Sequence, residues 1–195
     1  QQADPQSEVI GIDLPGSGEF YRLSSTAPVA GIAEFVNLQM VSKGPRPPRR
    51  FVISISLGGM VAVELARLYP ECMDGLIIMN SSFKNLSPMQ QRLQLEALPH
   101  FFRAAIAGNV EDREREIVAM VSNRRDQEIV VQKWAEIARQ RPVSLLNTAK
   151  QLFAASIFEL PPDKPRFPVL VLTSRGDHMV DPRCSQKLAE LWQAP

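Results

Sequence analysis

The apolar positions of this chain fall into two kinds of run. Short continuous runs occur at Val9–Ile12, Phe51–Ser56, Gly75–Met79 and Phe167–Thr173. They lack polar alternation, which predicts strands of a parallel sheet covered by helices on both faces. Longer runs repeat at helical spacing. Residues 28–42 carry Ile32, Phe35, Val36, Leu38, Met40 and Val41, and the stretch after Ser56 carries Met60, Val61, Val63, Leu65, Ala66 and Leu68 on one side. The alternation of strand and helix predicts an α/β domain with right-handed crossovers.

Residues 83–160 interrupt that alternation. They hold helical patterns at "MQQRLQLEALPHFFRAAIAG", "EDREREIVAMVSN", "DQEIVVQKWAEIARQR" and "PVSLLNTAKQLFAAS", with no strand among them. The expected organisation is therefore a core of residues 1–82 and 161–195 with a helical cap at 83–160 inserted over the strand ends. The expected fold is α/β, a mostly parallel sheet flanked by helices plus that cap.

Composition adds constraints. With 195 residues, 45% of them hydrophobic, the chain suits one globular domain with a substantial core. Lys and Arg number 22 against 21 Asp and Glu, which gives no electrostatic basis for binding nucleic acid or an anionic membrane. The arginines of Arg46–Arg50 and Arg113–Arg125 are interleaved with Pro or Glu, as in a solvated loop and a solvated helix face. Cys72 and Cys184 lie far apart in no metal-type spacing. A disulfide of a secreted protein and two free thiols in a reducing, cytoplasmic compartment both fit, and the second is the expectation. No run reaches the length of a membrane span, and no signal-peptide pattern opens the chain. No metal or organic cofactor is expected, since the sequence has no ligand cluster and the G-x-G of "PGSG" is explained by a turn.

The candidate chemistry sits at one bend. In "FVISISLGGMVAVELARLYP" a strand runs directly into a helix, and a serine stands between them. A nucleophile at such a bend needs small neighbours, usually as G-x-S-x-G. Here the pattern reads Ser54-Ile55-Ser56-Leu57-Gly58, followed by Gly59, with serine in the first small position. Ser56 would stand at the carboxyl end of its strand beside the positive end of the following helix, and the backbone N–H of Leu57 would be one donor for a developing oxyanion.

These residues resemble the α/β-hydrolase superfamily. "VIGIDLPGSGE" is similar to the segment around that family's fourth strand. "ISISLGGMVAVELARLYPECMDGLIIMNSS" is similar to its nucleophile elbow, the helix after it and the next strand, and "PVLVLTSRGDHMVDP" to the segment ending in the triad acid. The resemblance implies a serine hydrolase of esterase type, with Ser56 as nucleophile and Asp177 as triad acid. Asp181 is the alternative acid, and Pro182 after it marks Asp181 as the N-cap of a helix. The family's order is Ser, Asp, His, and no histidine follows Asp177 at the expected distance. His178 adjoins the acid and reads as an exposed loop residue; His100 reads as a cap residue. The chain is thus expected to lack both the His-bearing C-terminal segment and the first strands of the family, which include one lying between the fourth and fifth. Without that strand, Val9–Ile12 and Phe51–Ile55 must pair directly or leave backbone groups unpaired.

The implied substrate is a small, apolar acyl compound, an ester or thioester. Phe83, Met89, Leu93, Phe101 and Phe102 are the candidate pocket-lining residues. Acyl transfer to another acceptor is an alternative outcome of the same chemistry. A non-catalytic binding protein or truncated product of this fold is the alternative of a different class.

Overall fold

A computed structural model describes residues 7–123 and 125–195. Residues 1–6 of the expected core and Arg124 of the expected basic face lie outside the described residues. Chain order is α1 (Val29–Ser42), β1 (Phe51–Ile55), α2 (Leu57–Leu68), β2 (Gly75–Met79), α3 (Met89–Arg92), α4 (Leu98–Ile106), α5 (Val110–Val121), α6 (Gln127–Gln140), α7 (Leu145–Ile157), β3 (Val169–Leu172) and α8 (Pro182–Trp192). The three strands form a parallel sheet in the order β1-β2-β3. Phe51 pairs with Gly75 and Ile55 with Met79, while Leu76 pairs with Val169 and Met79 with Leu172. All carboxyl ends of the strands therefore point the same way.

Parallel register puts paired residues on the same face. On one face Leu76, Ile78 and Val169 join Ile32, Val36 and Met40 of α1, Val61 and Leu65 of α2, and Leu188 and Trp192 of α8 in one buried cluster. Every residue from Gly59 to Ala66 is buried, so α2 is the central helix of this layer, and Leu68 at its end is only half-buried.

The opposite face corrects the expectation of a doubly covered sheet. Phe51, Ile53 and Ile55 are 64%, 67% and 57% exposed, and Leu172 on the same face is exposed too. The expected strand Val9–Ile12 is not formed. Those residues have no regular structure, and Val9 is 82% exposed. A short apolar run becomes a strand only where it is brought against a partner edge, and among the described residues β1 pairs with β2 alone. Contiguous apolar surface of this kind binds hydrophobic dyes. Ile53→Lys is expected to lower anilinonaphthalene-sulfonate fluorescence while changing stability by no more than about 0.5 kcal/mol. A melting curve and a dye titration on the same sample check both halves.

The helices α3–α7 all lie between β2 and β3. The first expected helix of this block is broken: Leu93 and Gln94 are extended, and Gln94 N–H donates to Met179 O at 2.8 Å. A tertiary bond there outweighs helical continuity, and α4 restarts with Pro99 in its first turn, where proline's missing N–H costs nothing. Arg92 anchors the block. It is 8% exposed, and its guanidinium donates to Ala155 O and Ser156 O in the last turn of α7. Those carbonyls have no partner within their own helix, and a cation suits the negative end of the helix dipole. Arg92→Ala is expected to cost about 2 kcal/mol, measurable as a lower denaturant midpoint.

Both cysteines are free and buried. Burial pushes the Cys72 thiol up to about 11 although Arg50 and Arg46 pull the other way, so the thiol form dominates at neutral pH.

Candidate active site

Ser56 occupies the junction between β1 and α2 with φ 52° and ψ −121°. For a residue with a Cβ this is a strained backbone, costing about 1–3 kcal/mol. Three hydrogen bonds hold it there. Ser56 N–H donates to Met79 O at 2.9 Å, which continues the β1–β2 ladder one step past the strand. Ser56 O accepts from Gly59 N–H at 2.9 Å and from Ser81 Oγ at 2.7 Å. The chain thus leaves the sheet and enters the first helical turn within one residue. Leu57, as the first residue of α2, has an N–H with no carbonyl partner in its own helix.

The small positions around this turn have different physical roles. Ser54 Oγ donates to Ile77 O at 2.9 Å, so the serine standing in the first small position is tied into the sheet. A Cβ on Gly58 would meet only Ser54 Cβ, at 3.9 Å. A Cβ on Gly59 would lie 2.0 Å from Ser81 Oγ and 3.0 Å from Ile78 Cγ2. The close approach is therefore at Gly59, a residue the G-x-S-x-G pattern does not single out.

Above the carboxyl ends of the strands lies a cavity of about 400 Å³. Ser56, Asn80, Ser174, Asp177 and His178 line it, together with the apolar Ile55, Met120, Val121, Met179 and Val180. Asp177 is half-buried in the loop after β3. Its Oδ1 accepts from the N–H groups of Met179 and Val180 at 2.8 and 3.0 Å. The helical block clamps this loop from above. Gln94 Nε2 donates to Asp177 O at 2.7 Å, and Asn123 Nδ2 donates to Gly176 O at 2.7 Å. Asp181 is engaged elsewhere: it caps α8 by accepting from Arg183 N–H at 2.9 Å, and the hydrogen bond from the Arg183 side chain holds its carboxyl below the usual carboxylate range.

The two histidines are placed differently. His178 lines the cavity, with Nε2 at 2.8 Å from Asn123 Oδ1 and Nδ1 at 3.6 Å from Glu96. His100 lies between α4 and α5, with Nδ1 at 2.7 Å from Glu116 Oε2 and Arg103 beside both. Burial works against the Glu116 charge, but hydrogen bonds from Arg103 and His100 prevail and hold its pKa below the ordinary value.

The apolar residues expected to line the pocket do not line this cavity. Phe83 is fully buried in the core and packs against Phe158 with ring centroids 6.0 Å apart. Met89 and Phe102 are exposed, and Leu93 and Phe101 are half-buried outside the lining. The apolar wall comes instead from Met120 and Val121 at the end of α5 and from Met179 and Val180 behind the acid. The apolar periodicity of α5 is visible in the sequence, but which end overhangs the strand ends is set by packing.

The fold and this junction define an α/β-hydrolase. The family model described as serine aminopeptidase, S33, matches residues 3–194, and the chain belongs to that family. Among solved structures it is similar to a putative non-heme bromoperoxidase BpoC from Mycobacterium tuberculosis, at 17% identity and TM-score 0.66 over 92% of this chain and 67% of that one. It is similar to the enol-lactonase from Burkholderia xenovorans, at 16% identity and TM-score 0.68 over 92% of this chain and 66% of that one. It is also similar to the 2-hydroxy-6-oxo-6-phenylhexa-2,4-dienoate hydrolase from a Rhodococcus species, at 20% identity and TM-score 0.62 over 86% and 62%. Identities this low establish the shared fold. The chain spans from 59% to 67% of the length of such structures. No curated protein matches it. Among the described residues no helix is long and apolar enough to cross a membrane.

Proposed function

We propose that Ser56 is the nucleophile of a serine hydrolase acting on an ester, thioester or related acyl bond of a small substrate. The observation that carries this reading is the strained, triply bonded junction that puts Ser56 in one cavity with Asp177. In this reading Ser56 Oγ adds to the acyl carbonyl, and its proton passes to an imidazole that Asp177 would orient and that neither histidine of this chain supplies. The Leu57 N–H stabilises the oxyanion. The tetrahedral species collapses, the leaving group takes the proton, and water later releases the acyl group by the same steps. Ile55, Met120 and Val121 contact the apolar part of the substrate, and residues 83–160 act as the cap that excludes water. Neither histidine of this chain is assigned as the base. The His178 ring is engaged by Asn123, and His100 lies with Glu116 outside the cavity lining.

The engagement of His178 by Asn123 of the helical block and of Asp177 Oδ1 within its own loop favours a second reading, a binding protein that keeps the cavity without acid–base chemistry. A fluorophosphonate separates the two, because phosphonylation needs an activated serine. With free imidazole added to stand in for the base, the hydrolase reading predicts one adduct per folded chain, seen by intact mass. A folded chain that stays unlabelled supports the binder. Product analysis with a competing alcohol then distinguishes hydrolysis from acyl transfer.

A further inference from the structure

We propose that Asn80 is a substrate-contacting residue whose side-chain N–H group selects acyl compounds carrying a second oxygen acceptor close to the carbonyl. The proposal rests on the acyl-site reading above and adds to it a specificity element that no motif announces.

The register places Asn80 beside the nucleophile. β1 and β2 end on the pair Ile55 and Met79, so the next step across the sheet sets Ser56 against Asn80, about 5 Å apart in the strand-to-strand direction. Both residues have positive φ, 52° and 48°. On its other side Asn80 meets the strand that leads to the acid. Its N–H donates to Leu172 O at 3.1 Å, and its Oδ1 accepts from Ser174 N–H at 3.0 Å. Asparagine tolerates this left-handed conformation better than other residues with a Cβ, and here the conformation coincides with a tie to the loop that carries Asp177.

The bond to Ser174 also settles which end of the carboxamide is which. Only the oxygen can accept, so the amino group is the end left over. Among the described residues no acceptor is paired with Nδ2, and Asn80 lines the cavity. The residue lies on the middle strand, between Ser56 on β1 and the Ser174–Asp177 segment after β3. The Leu57 N–H belongs to the helix start after β1. The Asn80 donor is thus placed to meet a different oxygen from the one that becomes the oxyanion. A hydrocarbon substituent pressed over it would strip its water and leave two N–H groups unpaired, whereas a keto oxygen would replace that water. The apolar wall then selects the tail, and Asn80 selects an oxygen near the reacting carbonyl.

The test is a binding comparison that needs no turnover. Hexanamide and 3-oxohexanamide differ by one acceptor and are titrated into the protein while amide spectra are recorded. The proposal predicts that the wild type binds 3-oxohexanamide about three- to tenfold more tightly, and that this ligand alone moves the Asn80 side-chain amide signal. Asn80→Asp keeps an oxygen for Ser174 and tolerates the backbone but has no N–H, and its preference should vanish. Asn80→Gly should behave alike and serves as the second variant. Equal affinities in the wild type, binding of neither compound, or a preference that survives either substitution would overturn the proposal. Labelling of Ser56 without that preference removes this inference and leaves the hydrolase reading standing. The preference without labelling does the reverse.

Discussion

Replacing Ser56 by alanine is expected to abolish fluorophosphonate labelling, and any acyl-ester turnover should fall by on the order of 10⁴-fold or more. Replacing it by glycine should do the same while raising the melting temperature. The second half follows from the backbone. At φ 52° and ψ −121° a side chain costs about 1–3 kcal/mol, while glycine loses roughly 0.5–1 kcal/mol of chain entropy. The strain outweighs the entropy, so Ser56→Gly should be more stable than Ser56→Ala by about 1 kcal/mol, or some 2–4 °C in Tm for a chain of this size. A calorimetric comparison of the two variants checks this without reference to activity.

Gly59→Ala is the second large effect. The new Cβ would lie 2.0 Å from Ser81 Oγ, whose bond to Ser56 O is one of the three that hold the turn. The hydroxyl must move, and Ile78 Cγ2, 3.0 Å away, limits where the helix can shift. Overpacking and the lost hydrogen bond together cost about 2–4 kcal/mol, offset by about 1 kcal/mol of helix propensity. A net loss of about 2 kcal/mol is expected, with slower labelling of Ser56 because its carbonyl is no longer anchored. Gly58→Ala is the control. Its Cβ has room and its φ is not positive, so stability should be unchanged or slightly higher. Urea midpoints of the two alanine variants, measured side by side, decide the matter.

The contrast between those two glycines shows what the sequence could and could not convey. The bend was legible because its ingredients are local: an apolar strand, a serine, small residues and a helical pattern in unbroken succession. Which glycine is under pressure depends on Ser81, which reaches the turn from the end of β2. Asn80 was invisible for the same reason, since its position follows from strand register. β2 was read to the residue because Asp74 and Asn80 bound a run of five buried or half-buried positions. Val9–Ile12 has a similar pattern and failed as a strand. Pattern reports what a segment can bury, and whether it does so depends on an edge that accepts it. Among the described residues β1 has one unpaired edge, and the exposed Phe51, Ile53 and Ile55 show separately that one face of the sheet beside it is uncovered. The residues lining the cavity beside Ser56 were not legible because apolar positions of the helical block are interchangeable in sequence. Only packing decides that Met120 and Val121, rather than Phe101 and Phe102, reach the strand ends.

The most direct test forms the phosphonate adduct with free imidazole present as the base and maps it by tandem mass spectrometry. Trypsin releases residues 51–67 as one peptide, with Ser54 and Ser56 as its only serines. Ser54 is buried and bonded to Ile77 O, so fragment ions should carry the added mass from Ser56 onward and none of it on Ser54. An adduct on Ser54, on a serine outside this peptide, or on no residue of a demonstrably folded sample would contradict the account.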